Sequence, residues 1–382
     1  LHYENSVRRG FVIKKLKKEA LFMRITAAAE TEFLEKVFQS VGFSAENGTL
    51  LADTLVDADL RGISSHGIQR LDWYIRMVQD GTIKPQNQIK ILKETATSML
   101  IDANGNMGQI ASALAMNSLI KKAKTTNVAM AVIRNSNHFG TAGYYSRLAA
   151  KAGLIGISTT NTRPLVVPTN AIEAFLGSNA FAFTFPAEPH PFVFDGATAS
   201  VSSGKIMVLA KNQKPIPGEW AVDRNRNVIH DSKKAAEILS EVAFTEHQSG
   251  GGVLTLGGNQ EENSNYKGFG NSLVVELLTG ILAQGSISAD TSTGKHDFSQ
   301  FFMVFNPAFF GDLATLKANA EKMFDRIRYL DHVPGTHIMI PGDREYRNYD
   351  NNLKQGVTID PKTTQEITAI AKKFSIDLPQ AL

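Results

Sequence analysis

The sequence predicts a mixed α/β protein, α+β-like, with helical ends flanking a sheet-rich body, and three observations carry that expectation. From Met23 to about Gln79, apolar residues recur at helical spacing, in Phe33 to Val41 and again in Leu50 to Leu60. From about Ser98 the pattern changes to short β-rich runs alternating with helical stretches. After Leu313 it returns to helix.

Taken in order, Met23 opens a well-patterned helix through Ala28, Phe33, Leu34, Val37 and Phe38. The body has strand-like runs at Met99 to Ile101, Val128 to Ile133, Leu154 to Thr159, Phe181 to Phe185, Phe192 to Phe194 and Phe301 to Phe305. Helical stretches fall at Gln109 to Lys124, Thr141 to Ala152, Ser232 to Phe244 and Leu273 to Leu282. Gly250 to Gly258 reads as a flexible glycine-rich loop, and Leu313 to Arg328 and Thr363 to Phe374 as the closing helices. The expected organisation is a helical lobe over residues 23–95, a sheet domain over 96–320, and a C-terminal helical part, 321–382, packing on the first lobe.

At 382 residues, 43% hydrophobic and 20% charged, the chain has enough apolar material for more than one core, and disorder is excluded. The absence of cysteine rules out disulfides, thiolate metal sites and a cysteine nucleophile, and fits a reducing, cytoplasmic setting. The longest apolar run, Leu273 to Ala283, is broken by Glu276 and too short to cross a bilayer, so a buried core helix is expected and a membrane partner is not. Residues 1–22 carry Arg8, Arg9, Lys14, Lys15, Lys17 and Lys18 against Glu4 and Glu19, whereas the whole chain is only +3, so the remainder is close to neutral. That removes the clustered basic face a nucleic-acid partner needs. The same 22 residues read as a leader or upstream translated segment, an organellar presequence being the alternative, and are set outside the fold.

Two histidine motifs concentrate the chemistry. In Ser64-Ser65-His66-Gly67-Ile68-Gln69-Arg70, either serine can cap a helix running through Leu71 and Ile75, with His66 in its first turn and Arg70 and Tyr74 at four-residue intervals on one face. A helix start and a neighbouring guanidinium both disfavour imidazolium, and Arg70 offers a planar fork for a carboxylate. The second motif, Asn137 to Tyr144, sets His138 between a strand and a helix, where α/β proteins place ligands. Alone, the first motif reads equally as a capped surface helix with an incidental His-Arg pair, and the second is usually a loop histidine bound to backbone; two such histidines in similar settings shift the weight towards function. Asp195 ends a strand in a turn of small and hydroxyl residues, able to orient an imidazole or bind a ribose hydroxyl. Lys267 lies among glycines before the apolar helix, a setting suited to phosphate. No glycine-rich dinucleotide fingerprint follows any strand, and neither a P-loop nor a nucleophile-elbow serine occurs.

The ordered blocks Ser65-His66-Gly67-Ile68-Gln69-Arg70, Asn137 to Tyr144, Leu154 to Asn161, Leu176 to Ala180, the Asp195 turn ending in Gly204-Lys205, Lys267-Gly268-Phe269-Gly270 and Pro341-Gly342-Asp343 resemble the type-2 malate/L-lactate dehydrogenases from about Met23 onwards. The Asp195 turn reads D-G-A-T-A-S where the family commonly has D-M-A-T-S, and Asp343 stands where many members have Glu. The resemblance implies a non-Rossmann nicotinamide-binding domain on a largely antiparallel sheet, and a homodimer. It implies NAD(P)-dependent interconversion of a small 2-hydroxyacid and 2-oxoacid of the malate or lactate type, with NAD or NADP as cofactor. By position, His66 and His138 are similar to the acid-base histidines and Arg70 to the carboxylate-binding arginine, with Ser65 and Tyr74 in the substrate site. Ser158, Asp195, Lys267, Gly342, Asp343 and Arg344 resemble cofactor contacts. No metal is implied. Ureidoglycolate, sulfolactate or a cyclic imine is the alternative substrate within the family. Outside it, a metal-dependent hydrolase built on His66, His138 and Asp195, or a binding domain without turnover, is the competing reading.

Overall fold

The computed structural model describes residues 22–244, 250–291 and 297–382; the segment read as a leader lies outside them except for Phe22. The chain begins with β1 (Met23–Ile25), α1 (Ala27–Ser40) and α2 (Ala45–Leu60). Thr26 Oγ1 accepts the Ala29 N–H at 3.1 Å and Ser44 Oγ accepts that of Asn47 at 3.2 Å, so both helices start on a hydroxyl cap. The single helix expected across Ser64 to Ile75 is instead two 3₁₀ turns, Ser64–His66 and Ile68–Arg70, followed by α3 (Leu71–Gln79). Neither serine caps α3. The cause is Asp59, buried at the end of α2: its Oδ2 accepts the Ile68 N–H at 2.6 Å. A Cβ at Gly67 would collide with that carboxylate. Glycine therefore lets the backbone settle onto a buried acid, and helical continuity is lost there.

The middle of the chain alternates strand and helix through β2 (Lys90–Glu94), β3 (Ser98–Asp102), α4 (Gly108–Thr126), β4 (Val128–Ser136), α5 (Ala142–Lys151) and β5 (Ile155–Thr160). Next come β6 (Val166–Val167), β7 (Phe181–Phe185), β8 (Phe192–Gly196), α6 (Ser203–Lys211), β9 (Ala221–Val222), α7 (Ser232–Phe244) and β10 (Gly252–Leu254). The glycine-rich loop expected at Gly250 to Gly258 thus contains a buried strand. Gly252, at φ +149°, brings its backbone against Leu165 O, where a Cβ would stand 2.7 Å away. Then follow α8 (Asn265–Glu276), a π-helical turn at Leu277–Ile281, and β11 (Phe298–Phe305). The apolar run expected as a buried helix is only half covered: Leu273, Val274, Leu277, Ile281 and Leu282 are exposed. The chain closes with α9 (Leu313–Arg328), α10 (Asp343–Gln355), β12 (Val357–Ile359) and α11 (Pro361–Phe374).

Among the described residues, seven strands form the main sheet in the order β2-β3-β4-β11-β5-β7-β8, and only β3 and β4 run parallel. The architecture is therefore mixed α/β with a mostly antiparallel sheet. Its central strand β11 places Phe302 between Ala131 and Ser158, and Met116 and Leu119 of α4, Phe139 of the loop after β4 and Tyr145 of α5 pack into the same core. A second core joins α1, α2 and α3 to Val357, Ile359, Ile367 and Ile370 of the C-terminal part, while β1 pairs antiparallel with β12. A third forms around the small sheet β6-β10-β9, with Ile206, Ala235 and Leu239 of α6 and α7 packed on it. No helix among the described residues is long and apolar enough to cross a membrane.

Candidate active site

The two histidine motifs converge. His66 sits on the 3₁₀ turn fixed by Asp59, and His138 on the loop leaving β4; their rings stack with centroids 5.5 Å apart and planes 25° from parallel. The His138 loop is pinned from both sides. Asn137 Nδ2 donates to Gly105 O at 3.1 Å and Asn106 O at 3.0 Å, and Gln300 Nε2 donates to Asn137 O at 3.1 Å. Beneath the rings, Ser65 Oγ lies 2.9 Å from His66 Nδ1, and Tyr74 Oη lies 2.7 Å from His138 Nδ1. Arg70 Nε donates to Ser65 O at 2.6 Å, and its guanidinium rests over Trp73, 5.4 Å from the ring centre. Among the described residues, no hydrogen bond engages the outer two guanidinium nitrogens.

His66, His138, Arg70 and Trp73 line a cavity of about 450 Å³ with Ser65, Arg76, Thr160, Thr162, Arg163 and Ser178, and Ser202 to Gly204 at the start of α6 line it too. Burial, then the Arg70 charge, pushes His66 down to about 3. His138 is driven well below the ordinary imidazole value by burial first, then by His66, Arg70 and Arg163. Both imidazoles are therefore neutral at pH 7. Of the two causes expected for a neutral His66, the Arg70 charge is present, second to burial, whereas no α-helix begins there. A larger groove, about 1190 Å³, runs along α9 beside Leu313, Lys317 and Tyr329 and contains none of these groups.

A paired neutral imidazole beside a two-pronged guanidinium can exchange a proton with a hydroxyl next to a carboxylate. Comparison with known proteins agrees with that chemistry: the malate/L-lactate dehydrogenase family model matches residues 25–368. The chain belongs to this family. It is 36% identical over 360 residues to the malate dehydrogenase of Pyrococcus horikoshii, covering 93% of this chain and 97% of that protein. It is 33% identical to the L-sulfolactate dehydrogenase of Methanocaldococcus jannaschii, covering 91% and 96%. The crystal structure of malate dehydrogenase from Entamoeba histolytica superposes with a TM-score of 0.89 at 32% identity, covering 94% of this chain and all of that one.

The residues carried over from the malate/L-lactate dehydrogenase family do not all meet in one place. Ser65, His66, Arg70 and His138 line the cavity. Tyr74 is only 1% exposed, and its hydroxyl is engaged by His138 and Gln109, so it stands behind the site. Asp195 lies in a separate cleft of about 270 Å³ with Arg61, Arg147, Gly342, Glu345 and Tyr346, and it accepts the Gly143 N–H at 2.8 Å. It does not orient either imidazole. The His66, His138 and Asp195 triad that a metal-dependent hydrolase would use is therefore not assembled, and no cluster of three metal-ligating side chains occurs among the described residues.

Ser158 is fully buried and donates its hydroxyl to Ala142 O at 2.6 Å, tying β5 to α5. Lys267 is exposed within the first turn of α8, which starts at Asn265 and not after the lysine as expected. The Pro341-Gly342-Asp343-Arg344 turn opens α10, with Gly342 at φ +103°. The Asp343 carboxylate accepts from Arg328 Nη2 at 3.0 Å and from the Ile340 N–H at 2.8 Å, while Arg344 is exposed. Sequence reading missed Trp73, Thr162, Arg163 and the start of α6. Asn161-Thr162-Arg163-Pro164 follows β5 directly, and that strand-end position was the available signal.

The cavity walls fit a nicotinamide dinucleotide. The start of α6 at Ser202 to Gly204, the Arg163 side chain and the hydroxyls of Thr160, Thr162, Ser178, Ser202 and Ser203 all line the cavity, a donor set chemically matched to pyrophosphate and ribose.

Proposed function

We propose that the protein interconverts a small 2-hydroxyacid and its 2-oxoacid, with NAD or NADP as hydride partner and malate/oxaloacetate as the favoured pair. The observation that carries this reading is the stacked pair of neutral imidazoles beside the Arg70 fork in one cavity. Arg70 would bind the substrate carboxylate through its two outer nitrogens, since Nε is already held by Ser65 O. His66 then takes the hydroxyl proton in oxidation and returns it in reduction, with Ser65 Oγ receiving its Nδ1–H. His138 donates a hydrogen bond to the same substrate oxygen from the other wall. When bound, the nicotinamide supplies the hydride acceptor or donor. Arg163 and the α6 start would hold the dinucleotide phosphates. Asp195 and Gly342 of the second cleft, together with Asp343, Arg344, Ser158 and Lys267, are assigned to the dinucleotide's outer parts on the family resemblance alone.

The malate type is favoured over the lactate type by charge. Arg70 and Arg76 line the cavity and, among the described residues, no carboxylate does, so a second anionic group is accommodated; Arg76 is partly satisfied by Asp72 at 2.6 Å. The apolar stripe Leu273, Leu277 and Ile281 supports the homodimer that the resemblance implies, because a second copy would remove it from water. The test is NADH and NADPH oxidation by purified protein against oxaloacetate, pyruvate, sulfopyruvate and a cyclic imine. Oxaloacetate is expected to give the highest kcat/KM; turnover of none of the panel would reject the reading.

A further inference from the structure

Behind His138, away from the cavity, stands a short polar chain that the reaction does not touch. Tyr74 Oη is 2.7 Å from His138 Nδ1, and Gln109 Nε2 donates to Tyr74 Oη at 3.1 Å. Gln109 is fully buried, and its Oε1 has no hydrogen-bond partner among the described residues. Its presence there is a built feature of the fold. Gln109 is the second residue of α4, and the preceding Gly108 lets that helix start directly beneath the His138 loop: a Cβ at Gly108 would collide with the carbonyls of Asn137 and His138. An amide buried with an unsatisfied oxygen has a free-energy cost, so its retention calls for a role.

The donors and acceptors can be counted from a fixed point. The Gly140 backbone N–H, which cannot exchange roles, points at His138 Nδ1 at 3.4 Å. Nδ1 is therefore an acceptor and carries no proton, and Tyr74 must donate its own hydrogen to it. The Tyr74 oxygen then has only lone pairs to offer, and Gln109 must present its NH₂ to them. Burial pushes the Tyr74 phenol far up, so the hydroxyl proton stays on oxygen. The proton of neutral His138 is thereby left on Nε2, facing the cavity.

We infer that Gln109 is a positioning residue which, through Tyr74, locks His138 in the Nε2–H tautomer, making it a fixed hydrogen-bond donor to the substrate oxygen and leaving proton transfer to His66. This rests on the hydride-transfer reading for its consequence in turnover, but the tautomer itself is a property of the resting protein. Acting as a base would require Nε2 to be bare and Nδ1 protonated. Tyr74 would then have to direct its hydrogen at Gln109, whose NH₂ already points towards it.

The test is Gln109→Glu, read by long-range ¹⁵N–¹H correlation spectra of histidine-labelled, full-length protein, with the His138 signals assigned by their loss in His138→Asn. A protonated carboxyl still donates to Tyr74, whereas an ionised one only accepts, so the variant turns a fixed tautomer into a pH-dependent one. Wild type is expected to keep Nε2–H from about pH 6 to about pH 9, while the variant moves the proton to Nδ1 as the new carboxyl ionises. Over the same titration its kcat falls on the order of 10²-fold, with KM for the nicotinamide unchanged. Tyr74→Phe is the second variant, should the first not fold: removal of the donor is expected to populate both tautomers. A wild-type His138 protonated on Nδ1, or a pure Nε2–H tautomer persisting in both variants, overturns the inference. Absence of wild-type turnover with any 2-oxoacid would instead count against the dehydrogenase reading, because the spectra require no substrate.

Discussion

Replacing Arg70 by lysine keeps the charge and removes the geometry. In the structure Nε is committed to Ser65 O at 2.6 Å and the guanidinium plane rests on Trp73, which leaves a rigid pair of nitrogens for the substrate carboxylate. A lysine has one nitrogen and cannot serve both Ser65 O and two carboxylate oxygens. The loss is that of one charge-assisted hydrogen bond, about 1.5–3 kcal/mol. With each 1.4 kcal/mol worth about tenfold, KM for the oxoacid should rise roughly 10- to 150-fold. KM for the nicotinamide should stay within about twofold, since uniform binding is lost only for the ligand that Arg70 holds. Because burial and the positive charge both persist, the depressed His66 value persists with them, and the acidic limb of the pH–rate profile should not move. Steady-state kinetics with one substrate varied at a time measures all three quantities. Equal increases in both Michaelis constants, or an unchanged oxoacid KM, would refute the assignment of Arg70.

His66→Asn should lower kcat on the order of 10²–10⁴-fold and remove one limb of the pH–rate profile, while His138→Asn should lower kcat and keep that limb; the reverse pattern would exchange the two roles. Folding holds His66 at about 3 against 6.5 for an unperturbed histidine, so the unfolded chain binds more protons between those values. Its contribution to stability is therefore present above about 6.5 and is lost as pH falls towards about 3. The thermal midpoint should drop less between about pH 7 and about pH 5 in His66→Asn than in wild type, and an identical slope would show that the histidine is not held neutral. Gly67→Ala puts a methyl group into the Asp59 carboxylate and should cost about 1–3 kcal/mol by overpacking, seen as a lower midpoint in thermal denaturation; an unchanged midpoint would mean that the turn does not rest on Asp59.

Much of the fold was legible because apolar periodicity is set by burial. The alternation in Val128 to Ile133 and the aromatic run at Phe301 to Phe305 mark strands that pack Ala129, Ala131, Ile133 and Phe302 into one core. The polar helix Asp343 to Gln355 was not legible, because no residue in it is buried and its stripe of tyrosine and asparagine carries little apolar signal. The break at Gly67 escaped for a different reason. Its cause is Asp59, which sequence alone does not place beneath the turn. At the site, both histidines and Arg70 stood out because serine, glycine and arginine surround them within a few residues. Gln109 gave no such signal: it sits in an ordinary helical stretch, and only the packing of α4 under the His138 loop gives it a partner. Asp195 looked like an imidazole partner because a strand-end carboxylate commonly is one, but β8 lies at the edge of the sheet and carries it into a different cleft.

In the proposed reaction a hydride passes in this cavity between a nicotinamide and the 2-carbon of a hydroxyacid. Reduction of oxaloacetate with stereospecifically 4-deuterated NADH and NADPH, followed by mass spectrometry of the product, tests it most directly. The expected result is malate carrying one deuterium at C2 from one face of the nicotinamide. A product without deuterium, or no malate with either cofactor while other 2-oxoacids and imines are also left unreduced, would contradict it.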